Sequence, residues 1–85
     1  MKSFTYTITD PEGIHARPAG LLVKEAKSYS SSITIKKDGK SADAKKIFTL
    51  MGLACKQGNE ITVEISGDDE DAASAAMEKF LKENL

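Results

Sequence analysis

SITIKKDGKSADA, residues 32–44, is the stretch on which the fold turns. Ile33 and Ile35 alternate with polar neighbours, and Ala42 and Ala44 repeat that spacing after Asp38-Gly39. This dipeptide suits a two-residue turn because both positions tolerate positive φ, so the pattern predicts an antiparallel hairpin. Its apolar residues recur at every second position rather than in one continuous run. Only one face of the sheet is therefore expected to be covered.

The segments on either side extend the pattern. Upstream, SFTYTIT directs Phe4, Tyr6 and Ile8 one way and Ser3, Thr5, Thr7 and Thr9 the other, which reads as a half-buried strand. Downstream, Ile61, Val63 and Ile65 mark a fourth strand. Between strands the period changes. From Ala16 to Lys27, Ala19, Leu22, Val23 and Ala26 form one helical stripe, and Pro18 is tolerated because first-turn amides lack an intrahelical acceptor. KKIFTLMGLACKQGNE returns to helical spacing, with Ile47, Leu50, Met51 and Ala54 on the stripe and a stop at KQGN, where Gly58 can take positive φ. The acidic run GDDED leads into a last helix expected to turn Ala73, Ala76, Met77 and Phe80 inward. SYSSS, residues 28–32, reads as a solvated connection. The order is βαββαβα: an α/β (α+β) open-faced two-layer sandwich, with a four-stranded antiparallel sheet and three helices on one face.

Composition narrows the function classes. Eighty-five residues, 40% hydrophobic and 29% charged, suit a single domain over residues 1–85. Twelve basic residues against thirteen acidic ones leave a net charge of −1, so no general attraction to nucleic acid or anionic membrane is expected. No apolar run reaches the ~20 residues of a membrane span, and MKSFTYTITD lacks the apolar centre of a signal peptide. The lone Cys55 allows no internal disulfide, which agrees with a reducing compartment, and the cytoplasm is the expected location.

GIHARPAG, residues 13–20, sets the only histidine in the chain at the start of the first helix. A helix start offers free N–H groups and the positive end of the macrodipole, a ready site for phosphate or carboxylate. The amides of Ala16 and Arg17 and the Arg17 guanidinium would serve such an anion. The same field disfavours imidazolium and leaves a nucleophilic ring, while Glu12 pulls the other way. The bland alternative is a surface capping histidine. One histidine and a distant cysteine do not supply the ligands zinc takes, so no metal site is expected, and no cofactor. Neither GxSxG nor GxxxxGK[ST] occurs, which removes the hydrolase and ATPase readings. Phe48 lies off the second helix's stripe with Gly52 on the same side, and Leu21 is off-stripe on the first. Each either covers the core edge or meets a partner. Lys24, Lys27, Lys45, Lys46 and Lys56 are a basic rim or ordinary solubilising residues, and Cys55 reads as a core or boundary residue.

GIHARPA and KKIFTLMGLACKQG together resemble HPr, the histidine-containing phosphocarrier family of the bacterial phosphoenolpyruvate-dependent sugar phosphotransferase system, and the element order agrees along essentially the whole chain. The resemblance implies a carrier rather than a free-standing enzyme. Enzyme I would phosphorylate His15 on Nδ1, Arg17 and the amides of Ala16 and Arg17 would stabilise the phosphoryl group, and sugar-specific IIA components would receive it. It implies partner contacts at Ile47, Phe48 and Met51, to which Gly52, Leu21 and Lys24 are added as neighbours. A carrier shared among partners is expected to be a monomer. Lys46 stands where many low-GC Gram-positive members carry a regulatory serine, so that regulation is not carried over. The alternative is a regulatory HPr-like binding module, for example in a nitrogen-related phosphorelay.

Overall fold

A computed structural model describes residues 1–85. The hairpin forms as its turn chemistry dictates. β2 (Ser32–Lys37) and β3 (Lys40–Asp43) pair antiparallel with Lys37 opposite Lys40, and Asp38 and Gly39 both take positive φ, 51° and 81°. β4 (Glu60–Ser66) lies between β2 and β1 (Lys2–Thr7), antiparallel to both, giving the order β1-β4-β2-β3. Ile33, Ile35, Ala42, Ile61, Val63 and Ile65 all point to one buried face, while Thr5, Thr7, Lys36 and Asp43 lie on the exposed side. The short edge strand β3, bounded by Lys40 and Asp43, offers little unpaired ladder for another chain to extend.

Three helices are covered by, and cover, that apolar face. α1 (Ala16–Lys27) buries Pro18, Ala19, Leu22, Val23 and Ala26, α2 (Ile47–Met51) buries Leu50, and α3 (Glu70–Asn84) buries Ala73, Met77 and Leu81. Twenty buried residues form one apolar cluster between sheet and helices. The element order and the one-sided sheet match the reading of the sequence.

Three local expectations are corrected. The second helix ends at Met51 instead of running on to Ala54; Met51 and Ala54 are exposed, and Leu53 and Cys55 are buried in their place. After Met51 the chain tightens, with Leu53 N–H donating to Leu50 O at 3.2 Å and Ala54 N–H to Met51 O at 3.0 Å. Ala54 then reverses direction at φ 52°. Lys37 Nζ donates to the carbonyls of Leu53 and Ala54 at 3.1 and 3.0 Å, pairing two acceptors that lie beyond the helix end. Gly58 does take positive φ, but in the turn before β4 rather than at a helix end.

On α3, Ala76 and Phe80 are only partly buried and Leu81 takes the deeper place. The serine stretch is not wholly solvated either. Ser31 is buried, its hydroxyl donates to Asp69, and the amides of Ser30 and Ser31 donate to the same carboxylate at 2.9 and 3.0 Å. A polar hydroxyl can be buried there because a carboxylate from the start of α3 accepts its hydrogen bond.

Candidate functional site

The loop between β1 and α1 is tied down at three places before it presents His15. The Thr9 and Asp10 amides donate to Leu85 O at 2.6 and 2.8 Å, with the Thr9 hydroxyl on the same oxygen at 2.8 Å. Gly13 N–H closes a turn onto Asp10 O at 2.9 Å, and Ile14, buried, donates its amide to Cys55 O at 3.1 Å. Gly13 has φ 67°, and a Cβ there would meet the Cys55 carbonyl and lie 2.8 Å from Lys56 Cα. Glycine is required on both counts.

His15 is the N-cap residue of α1, in extended conformation, and its side chain makes no cap hydrogen bond. The first helical bond runs from Ala19 N–H to His15 O at 2.9 Å. Of the three positions before Ala19, Pro18 has no N–H to offer. The amides of Ala16 and Arg17 therefore remain, and neither has an acceptor within the chain. Proline thus reduces the helix mouth to two adjacent donors beside the imidazole, at the positive end of the dipole.

The imidazole is about one-third exposed, and its Nε2 lies 3.3 Å from Glu12 Oε2. Arg17 is exposed and takes part in none of the chain's ion pairs, so its fork of donors is free on the first turn of the helix that His15 caps. One feature was not anticipated from the sequence. Donor atoms of Asp10, Glu12 and His15 all lie within 4.8 Å of one another. Alternating acidic residues three and five places before the histidine were the available signal, but only the turn through Gly13 folds them back onto the ring.

Leu21 and Lys24 follow Arg17 at i+4 and i+7 along the exposed side of α1, and both are exposed. α2 packs beside α1 where Gly20 leaves room: a Cβ on Gly20 would stand 3.9 Å from Ile47 Cδ1. Ile47 is half-buried against the core, whereas Phe48 is 89% exposed and Met51 and Gly52 are exposed. Phe48 therefore does not cover the core edge. In the basic rim, Lys24, Lys27, Lys46 and Lys56 are exposed, but Lys45 Nζ is taken up by Tyr29 O at 2.8 Å. Two concavities lie elsewhere, on the open side of the sheet and along the hairpin; one is lined by Thr34, Ser41 and Asp43, the other by Lys36, Asp38 and Thr62. Cys55 is buried, and burial pushes its thiol up, with Lys37 opposing more weakly. It is a core residue, as its sequence context suggested.

The family described as "PTS HPr component phosphorylation site" matches residues 2–83. The phosphocarrier protein HPr of Lysinibacillus sphaericus is 45% identical over 83 residues, 98% of this chain and 94% of its own. Among solved structures, the histidine-containing phosphocarrier protein of Mycoplasma superposes with a TM-score of 0.93 at 41% identity, covering 96% of this chain and 93% of its own. An HPr dimer from Thermoanaerobacter tengcongensis superposes with a TM-score of 0.78 at 40% identity, covering 98% and 95%. No helix is long and apolar enough to cross a membrane.

Proposed function

The chain belongs to the HPr family of phosphocarriers, and from that premise we propose that His15 accepts a phosphoryl group from phospho-enzyme I and passes it to sugar-specific IIA components. The observation that carries this reading is the pair of unpartnered amides, Ala16 and Arg17, set beside a partly exposed imidazole at a helix start. Glu12 supports it through the ring's other nitrogen. With its proton on Nε2, 3.3 Å from a Glu12 carboxylate oxygen, the neutral ring has its lone pair on Nδ1. That lone pair attacks phosphorus, a new N–P bond forms, and the donor keeps the electron pair of the bond that breaks. In the second transfer the roles reverse.

The bound group is held by two amides and the Arg17 guanidinium, while the charge of Glu12 opposes it. Moderate affinity is what a carrier needs, because a phosphoryl group held too firmly is not passed on. Arg17, Leu21, Lys24, Ile47, Phe48, Met51 and Gly52 form the face that donor and acceptor occupy in turn. An exposed aromatic flanked by apolar side chains and lysines suits transient contact with acidic partners. We place the protein in the cytoplasm as a carrier rather than a catalyst, acting as a monomer, since a face used alternately by two partners must be free; light scattering at working concentration checks that state.

Incubation with phosphoenolpyruvate and enzyme I is expected to add one acid-labile phosphate to the wild type and none to His15→Ala. Equal labelling of the two proteins refutes the reading. Arg17→Ala should fold normally, because its side chain is exposed, and should accept phosphate at least about tenfold more slowly, a charge-assisted contact being worth about 1.5–3 kcal/mol.

A further inference from the structure

We propose that Asp10, Glu12 and Nε2 of His15 form a binding site for a divalent cation of the zinc class, and that its occupancy withdraws His15 from phosphoryl acceptance. The second clause rests on the phosphocarrier reading; the first does not. One imidazole nitrogen and two carboxylate oxygens are a donor set that zinc accepts, with the fourth position left to water. The spacing fits. Two donors about 2.0–2.1 Å from one tetrahedral ion lie roughly 3.3–3.4 Å apart, and Nε2 and Glu12 Oε2 are 3.3 Å apart. The donor atoms of all three groups fall within 4.8 Å of one another, with Glu12 exposed and Asp10 and His15 half-buried.

The donors stand on an ordered frame. The backbone of Asp10 is held by Leu85 O, its Oδ1 accepts the Glu12 amide at 2.8 Å, and Ile14, next to His15, is anchored to Cys55 O. Glu12 is the most exposed of the three, its side chain 74% accessible, which leaves a route for a hydrated ion. Two carboxylates outweigh the single Arg17 charge and the half-charge of the helix end at this spot.

Gating follows from counting ring protons. A neutral imidazole carries one N–H, and a metal on Nε2 leaves that proton on Nδ1. The proton passes from Nε2 to Nδ1 through solvent, with none lost from the ring. Nδ1 then has no lone pair to offer phosphorus. Removing the ion lets the proton return to Nε2, beside Glu12, and frees Nδ1.

The test is titration of the full chain with zinc chloride in a non-chelating buffer, read by calorimetry and by the 15N shifts of the His15 side chain, for wild type, Asp10→Asn and Glu12→Gln. We expect one equivalent bound, a shift that marks Nε2 as the ligand, and affinity at least about tenfold weaker in each variant. His15 shifts that do not move, or an unchanged affinity in Asp10→Asn, overturn the site. Phosphoryl labelling is then measured with and without zinc, each protein normalised to its own zinc-free rate. Inhibition of wild type that is relieved in Asp10→Asn supports gating, and equal inhibition of all three proteins, as from zinc acting on enzyme I, overturns it. Wild type left unlabelled without zinc overturns the carrier reading and the gating built on it, while the calorimetry and the ring shifts still decide the site.

Discussion

Two residues with the same backbone conformation carry opposite consequences. Gly13 and Ala54 both lie in the left-handed region, at φ 67° and 52°, and both belong to the segments that brace the His15 loop. An L side chain costs roughly 1–2 kcal/mol there, and glycine costs about 0.4–1 kcal/mol through the freedom it adds to the unfolded chain. Ala54→Gly is therefore expected to stabilise the protein by about 0.5–1 kcal/mol in urea unfolding. Gly13→Ala should destabilise by more than about 2 kcal/mol, because strain is joined by collision with the backbone of Cys55 and Lys56. A neutral Gly13→Ala would mean that the loop is not held against that segment. The glycine is visible in the sequence; the reason only glycine fits is a carbonyl more than forty positions away.

The second helix shows what a short element can and cannot do alone. Five residues cannot stabilise themselves in water, so α2 persists because Leu50 is buried and the flanking turns hold its ends. Its entry is poor. Lys46 is the N-cap residue and makes no cap bond, and a lysine there meets the positive end of the dipole. Asp43 compensates one step earlier by accepting the Lys45 amide at 2.8 Å. Lys46→Ser should raise stability by about 1 kcal/mol, measured as the shift in urea midpoint at constant m-value. On the same helix Phe48→Ala should change stability by less than about 0.5 kcal/mol and weaken binding to enzyme I by ~1–2 kcal/mol, the contrast expected of an exposed contact residue. A large loss of stability would return Phe48 to the core. Helical periodicity placed this element but overran its end, since Leu53 and Cys55 are equally apolar; the early stop rests on turn bonds to the Leu50 and Met51 carbonyls and on the Lys37 ammonium, which reaches from the hairpin to the two carbonyls that follow.

At the scale of the molecule, Asp69 fastens the start of α3 to the start of β2 across 38 positions of chain. The Ser31 hydroxyl, then the Ser30 amide, hold its carboxyl below the usual carboxylate range. A pKa lowered by folding contributes stability above the unfolded value of ~3.9, and that stability is lost as pH falls through the folded value. Asp69→Asn should thus melt at a lower temperature than wild type at pH 7, with the gap closing as pH drops below about 4. A gap that stays constant down to acid pH would show that charge is not what fastens the two elements. By itself the sequence determined the element order, the antiparallel hairpin and the one-sided sheet, and it singled out His15, because periodicity, turn chemistry and a helix start are local properties of neighbouring residues. Only the tertiary structure decided where α2 stops, that Ser31 is buried, and that Asp10 and Glu12 turn back onto the imidazole. Each of those outcomes depends on a group brought close by folding: Lys37 at the end of α2, Asp69 at Ser31, and the Leu85 and Cys55 carbonyls that hold the loop before His15; spacing along the chain carries no record of which distant group that is.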